Sequence, residues 1–283
     1  MDSQPLPYLD HAFLESEDAR PIRILAEYLE PLRRFHQQHI RDTVVFFGSA
    51  RIRSREAAER QLAAVNSGEL DGRTTLEAHA LASRSIEWSR YYEDARELAG
   101  RLTSWSTSLP GKCARFVVCS GGGPGIMEAA NRGAYEAGGK TIGLNIRLPH
   151  EQGANPYITK GLHFEFHYFF MRKFWFAYMA RALVVFPGGF GTLDELFEIL
   201  TLEQTKKLAD RTTILLYGDK YWDRIFDMDP LVEWGAIAPK DPDLLVRVNT
   251  VDEAFAKLQS SLELVLETET ETEKAPVLAR TRA

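Results

Sequence analysis

The chain has little of what cofactor, metal and membrane proteins are built on. It holds two cysteines, Cys113 and Cys119, which make no CxxC pair and no zinc-type set, so a reducing cytoplasm is expected and a metal centre is not. No apolar run reaches the ~18 residues that span a membrane. The start from Met1 to Arg20 is polar and acidic, without the apolar core of a signal peptide. From those absences a soluble cytoplasmic protein with no membrane partner is expected. Lysine and arginine form no long cluster and the net charge is −6, which disfavours a general nucleic-acid partner while leaving single basic residues free to receive a small anion.

What is present is enough to build a large domain. The 283 residues are 45% hydrophobic, and strand-like β-branched runs alternate with helical periodicity. Thr43 to Phe47, Ala114 to Cys119, Thr141 to Asn145, Val184 to Phe186 and Thr213 to Tyr217 read as strands, with shorter ones at Leu162 to Phe166 and Leu244 to Val248. Helices are expected at Ile22 to Ile40, Ile126 to Ala137, Phe169 to Ala180, Leu193 to about Leu208, Trp222 to Trp234 and Val251 to Val265. Between the first two strands lies a helical pair, about 54–102, where a minimal βαβ unit has one helix. The alternation predicts an α/β fold, a Rossmann-like doubly wound parallel sheet with extra N-terminal helices and that helical insertion. Three parts follow: a loosely ordered arm and helix over 1–42, the domain proper over 43–265, and a disordered Glu/Thr-rich tail over 266–283.

The most informative stretch is Val184-Val185-Phe186-Pro187-Gly188-Gly189-Phe190-Gly191-Thr192-Leu193-Asp194-Glu195. A buried strand, a glycine turn and a helix start in that order form an anion site, because first-turn N–H groups lack intrahelical partners and the helix dipole adds partial positive charge. Gly188, Gly189 and Gly191 allow close approach of backbone and positive φ; Thr192 adds a hydroxyl. Glu195, one turn in, would repel a phosphate it touched, so it should face another part of the ligand, and its place near the helix start favours the ionised form. Two more small-residue turns follow strands: residues 48–51, with Ser49, and residues 120–125, with Gly121, Gly122 and Gly123. Right-handed crossovers bring all three to one sheet edge, which makes Ser49 and Gly121 to Gly123 further candidates for substrate contact. Neither G-x-G-x-x-G nor a Gly-Lys-Ser/Thr closure is found in these turns, so a monophosphate fits better than a dinucleotide or triphosphate. Arg172 and Lys173 stand among Phe169, Phe170, Met171, Phe174, Trp175 and Phe176. Either they snorkel at a helix end or interface, or they pair with an anion or carboxylate.

With Gly121-Gly122-Gly123-Pro124-Gly125-Ile126-Met127-Glu128, Arg172-Lys173 and the motif from Pro187 to Glu195, the chain resembles the LOG (Lonely Guy) family over about residues 43–250. These are phosphoribohydrolases that release the base from cytokinin riboside 5′-monophosphates; many bacterial relatives carry an old lysine decarboxylase label and act on AMP. The resemblance implies a Rossmann-like sandwich, a homodimer or higher homo-oligomer with the site near the interface, a nucleotide substrate and no cofactor. It makes Arg172 and Glu195 the catalytic pair, puts the 5′-phosphate on Gly188, Gly189, Phe190, Gly191 and Thr192, and has Lys173 line the site. The long insertion and the N-terminal arm depart from compact members. A decarboxylase would need a lysine poised for a Schiff base with pyridoxal phosphate, and no such set stands out. Two other readings stay open: a non-catalytic nucleotide-binding module, and an oligomeric scaffold using the aromatic 164–178 segment.

Overall fold

A computed structural model describes residues 5–68, 72–147, 153–208 and 212–274. In chain order the elements are a 3-10 turn at Pro7–Leu9, α1 (His11–Glu15), α2 (Arg20–Gln37), β1 (Thr43–Phe47), α3 (Arg55–Asn66), α4 (Thr75–Ser108), β2 (Val117–Ser120), α5 (Ile126–Glu136), β3 (Thr141–Ile146), β4 (His163–Phe166), α6 (Phe169–Tyr178), β5 (Ala180–Val185), α7 (Phe190–Gln204), β6 (Thr213–Tyr217), α8 (Asp219–Ile225), α9 (Asp229–Glu233), a 3-10 turn at Asp241–Leu244, β7 (Leu245–Val248) and α10 (Val251–Lys274). The seven strands form one parallel sheet in the order β4-β3-β2-β1-β5-β6-β7. From β1 the chain winds outward through β2, β3 and β4, then returns to the other side of β1 for β5, β6 and β7. The sheet therefore reverses direction between β1 and β5, the place where open α/β sheets bind ligands.

Strand side chains alternate between two cores, as the two-residue repeat requires. Val44, Phe46, Val118, Val184 and Leu215 meet α4, α5 and α10 on one face. Val45, Phe47, Leu183, Val185 and Leu216 meet α2, α6, α7 and α8 on the other. Parallel strands covered on both faces read as continuous apolar runs, which is why they were visible in the sequence.

Several boundaries move for identifiable reasons. Helix α4 opens on a capping box of Thr74 and Glu77 and runs on past residue 102, where Trp105 stacks on Phe116 at 5.6 Å. The single helix expected over 222–234 is two, because Pro230 starts a fresh helix where its missing N–H costs nothing. Residues 7–15 are short helices rather than a loose arm: Asp10 caps α1 through the Phe13 N–H at 3.1 Å, and Arg23 holds the Leu14 and Ser16 carbonyls. The tail expected to be disordered from 266 continues α10 through Lys274, held by Glu269 at 3.0 Å from both Arg41 and Arg115. Residues 275–283 lie outside the described residues, as does Pro149 of the loop after β3. No helix among the described residues is long and apolar enough to cross a membrane.

Candidate active site

The three turns meet at the reversal point, and Ser49 stitches them together through its backbone. Its N–H donates to the Pro187 carbonyl at 3.0 Å, and its carbonyl accepts from the Ile126 N–H at 3.2 Å. The Ser49 hydroxyl accepts from the Arg51 N–H at 3.1 Å. Side chains are sterically barred at this junction: a Cβ on Gly125 would lie 2.3 Å from the Ser49 carbonyl oxygen.

The second turn is held from beneath by a buried polar network that sequence reasoning did not find. Asn131 on α5 donates to Thr141 Oγ1 and the Ile142 carbonyl, each at 3.1 Å, and accepts from the Ser120 hydroxyl at 2.7 Å. Asn155 donates to the Gly122 and Gly123 carbonyls at 3.1 Å and to Asn131 Oδ1 at 2.9 Å. An amide on an otherwise small and apolar helix face (Ala129, Ala130 and Ala134 surround Asn131) was the available signal; Asn155 gave none. Gly122, at φ 74°, takes a backbone conformation that favours glycine, and a Cβ there would stand 1.9 Å from Asn145 Oδ1.

The third turn differs in detail from its sequence reading. Helix α7 starts at Phe190, three residues earlier than expected, so Gly191 and Thr192 are already in its first turn; Gly189 is its N-cap and no side chain caps it. The first-turn N–H groups thus remain available to an anion. None of Gly188, Gly189 and Gly191 has positive φ. Their lack of a side chain serves proximity instead: a Cβ on Gly188 would fall 2.1 Å from Thr192 Oγ1, while the space beside Gly189 and Gly191 is open. Thr192 is buried against Gly188, and Phe190 projects into solvent at 93% exposure. Tyr221 fixes the loop by donating its hydroxyl hydrogen to the Gly188 carbonyl at 2.6 Å.

Arg172 and Glu195 come together from α6 and α7. Arg172 Nη2 lies 3.4 Å from Glu195 Oε1, with side-chain exposures of only 13% and 14%. Arg172 Nε also donates to the Leu144 carbonyl at 2.8 Å, its guanidinium lies 5.0 Å from the centre of the Phe176 ring, and a Cβ on Gly121 would stand 2.7 Å from its Nη2. A head group so enclosed and paired is not snorkelling. Burial lowers the Arg172 pKa, opposed by Glu195; burial pushes the Glu195 carboxyl up to about 7, opposed by Arg172. The helix start was expected to favour the ionised carboxylate; burial acts in the opposite direction. Lys173, by contrast, is tied to Asp194 at 2.9 Å and Glu198 at 3.1 Å on the outer side of α7. Burial works against its charge, yet those bonds hold its pKa above the usual value, the reverse of an amine poised for a Schiff base, so the residues present do not fit pyridoxal phosphate.

Beside the pair lies a pocket of about 370 Å³ whose walls include Gly121, Gly123, Met127, Asn145, Phe169 and Arg172. Asn145 Oδ1 is buried there without a hydrogen-bond partner, an acceptor that calls for a donor on the ligand. Phe166 is buried in the core, whereas Phe169 stands at the pocket.

A doubly wound sheet, an uncapped helix start at its reversal point and a buried acid–arginine pair beside it define an α/β protein of the doubly wound class with its polar groups gathered where such sheets bind ligands. The family model described as "Possible lysine decarboxylase" matches residues 127–258. LOG6 of Arabidopsis thaliana, named a probable cytokinin riboside 5′-monophosphate phosphoribohydrolase, is 32% identical over 170 residues, covering 60% of this chain and 80% of that protein. LOG3 of the same plant, a cytokinin riboside 5′-monophosphate phosphoribohydrolase, is 28% identical over 174 residues, covering 60% of this chain and 75% of that one. The chain belongs to the LOG family. Among solved structures, the molybdenum cofactor carrier protein from Chlamydomonas reinhardtii aligns with 79% of this chain and 99% of that one at 19% identity and a TM-score of 0.43.

Proposed function

We propose that the protein hydrolyses the N-glycosidic bond of purine nucleoside 5′-monophosphates, AMP or a cytokinin riboside 5′-monophosphate, giving free base and ribose 5-phosphate. The observation that carries this reading is the buried Arg172–Glu195 pair standing beside the open start of α7. The 5′-phosphate rests on the N–H groups of Phe190, Gly191 and Thr192 next to Gly188 and Gly189, and this remote contact orients C1′. As the C1′–N bond breaks, the ribosyl ring becomes oxocarbenium-like. Glu195 stabilises that charge and takes a proton from the water that attacks C1′; the base leaves with the bonding electron pair and is protonated from solvent, and Glu195 afterwards returns its proton to solvent. Arg172 touches both the pocket and Glu195, so it orients the carboxylate and contacts ribose. The unpartnered Asn145 Oδ1 suits a base bearing an N–H, such as the exocyclic amine of adenine.

Incubation with AMP, adenosine and an isopentenylated AMP, following free base by chromatography, tests the proposal. Base from the nucleotides and little from adenosine is the expected result, because the phosphate supplies the positioning energy. Nucleotide binding with no base from any of the three would make the protein a binding module instead.

A further inference from the structure

The helical insertion creates a second pocket that the proposed chemistry does not use. It is about 670 Å³, within the range of nucleotide-sized sites, and opens between α3, α4, the start of α5 and the loop after β1. It lies on the side of the sheet covered by α4 and α5, whereas Arg172 and Glu195 stand on α6 and α7 of the other face. Arg51, Arg53 and Arg84 line it. Neighbouring arginines on the same helices are paired, Arg55 with Glu59, Arg60 with Glu56 and Arg96 with Glu136. Arg51, Arg53 and Arg84 have no carboxylate at ion-pair distance among the described residues. The carboxylate in the wall, Glu128, is engaged by the Tyr92 hydroxyl at 2.6 Å. Gln61 lines the same space with its side-chain oxygen buried and unpartnered, and Trp88 adds an aromatic wall.

Three unpaired guanidiniums on two separate elements exceed what one monophosphate needs, since a single arginine can engage two of its oxygens. A ligand that matches them carries its charge along a chain. The half-buried indole of Trp88 and the free Gln61 oxygen suit a base and its N–H groups. Among the described residues the one carboxylate in its wall, Glu128, is taken up by the Tyr92 hydroxyl, and the arginines, Gln61 and Trp88 around it suit binding. We propose that this pocket is a second site, specific to the insertion, that takes a nucleotide carrying two or three phosphates, with the phosphates on Arg51, Arg53 and Arg84 and the base between Trp88 and Gln61.

Equilibrium dialysis of the full chain with ATP tests it, using tripolyphosphate and AMP as competitors and an Arg53→Glu/Arg84→Glu variant as control. Both substituted side chains are exposed, so an unchanged melting temperature should certify the fold. The expected result is ATP bound one to one, displaced by tripolyphosphate but not by AMP, and weakened about tenfold or more in the variant, since two charge-assisted contacts are removed and reversed. No ATP binding, equal binding by the variant, displacement by AMP (which would place ATP on the α7 cradle), or no competition from tripolyphosphate would each overturn it. The AMP competition is run on Glu195→Gln, which should bind AMP without consuming it, so a lack of displacement reports separate sites and none of the outcomes depends on whether AMP is hydrolysed.

Discussion

Glu195 concentrates the chemistry at the scale of a single residue. Burial raises its pKa to about 7, near where a general base is most effective. The sign of the resulting pH dependence is fixed: below that value the carboxyl is protonated and neither accepts a proton nor stabilises a cation. Base release at limiting substrate is therefore expected to rise with pH through an inflection near 7, measured as kcat/KM between pH 5 and 9. A profile flat over that range would separate Glu195 from the rate. The motif residues were legible in the sequence because glycines and a glutamate at fixed spacing carry a local signal. The environment of Glu195 was not, since its desolvation comes from α6 and the strand ends packed around it. Lys173 shows the same limit, as a cation beside Arg172 in sequence that faces Asp194 and Glu198 in space.

Among the elements, α10 departs furthest from its sequence reading. Its last turns alternate Glu and Thr, which have too little apolar surface to predict order. What fixes them is a charged contact between distant residues: Glu269 reaches Arg115, which is also paired with the nearly inaccessible Asp42 at 2.6 Å. No periodicity reports such a pairing. The two carboxylates should differ in worth. Asp42→Ala leaves Arg115 without its buried partner and should cost about 3–5 kcal/mol, whereas Glu269→Ala removes a partly exposed contact worth about 1 kcal/mol. Urea denaturation of the two variants checks this, and equal losses would mean that α10 is anchored as firmly as the strand ends. Helices α3 and α4 were legible as helices from their periodicity, but the pocket they make against the loop after β1 depended on the length and direction of α4.

For the whole molecule, the doubly wound sheet followed from strands alternating with helices, and the order around β1 placed the three turns together as the crossover rule requires. The aromatic 164–178 segment was legible as a candidate interface, but which of its rings face outward was not. Phe169, Phe170, Phe174 and Tyr178 on α6 remain exposed beside Ile22, Leu25 and Leu29 of α2, an apolar surface larger than scattered surface residues explain. We propose that it meets a second copy of the chain. Sedimentation should then give at least a dimer, and Phe174→Glu with Tyr178→Glu should shift it toward monomer; a wild-type monomer at micromolar concentration would refute the proposal.

Turnover of AMP by Glu195→Gln, with binding measured on the same preparation, tests the role of the buried carboxylate most directly. The substitution keeps size and polarity while removing the charge and the proton-accepting carboxylate. Base release is expected to fall at least ~100-fold, the scale seen when one charge-stabilising group is removed, with AMP still bound. Turnover near that of the wild type would contradict it and leave the buried pair a structural feature.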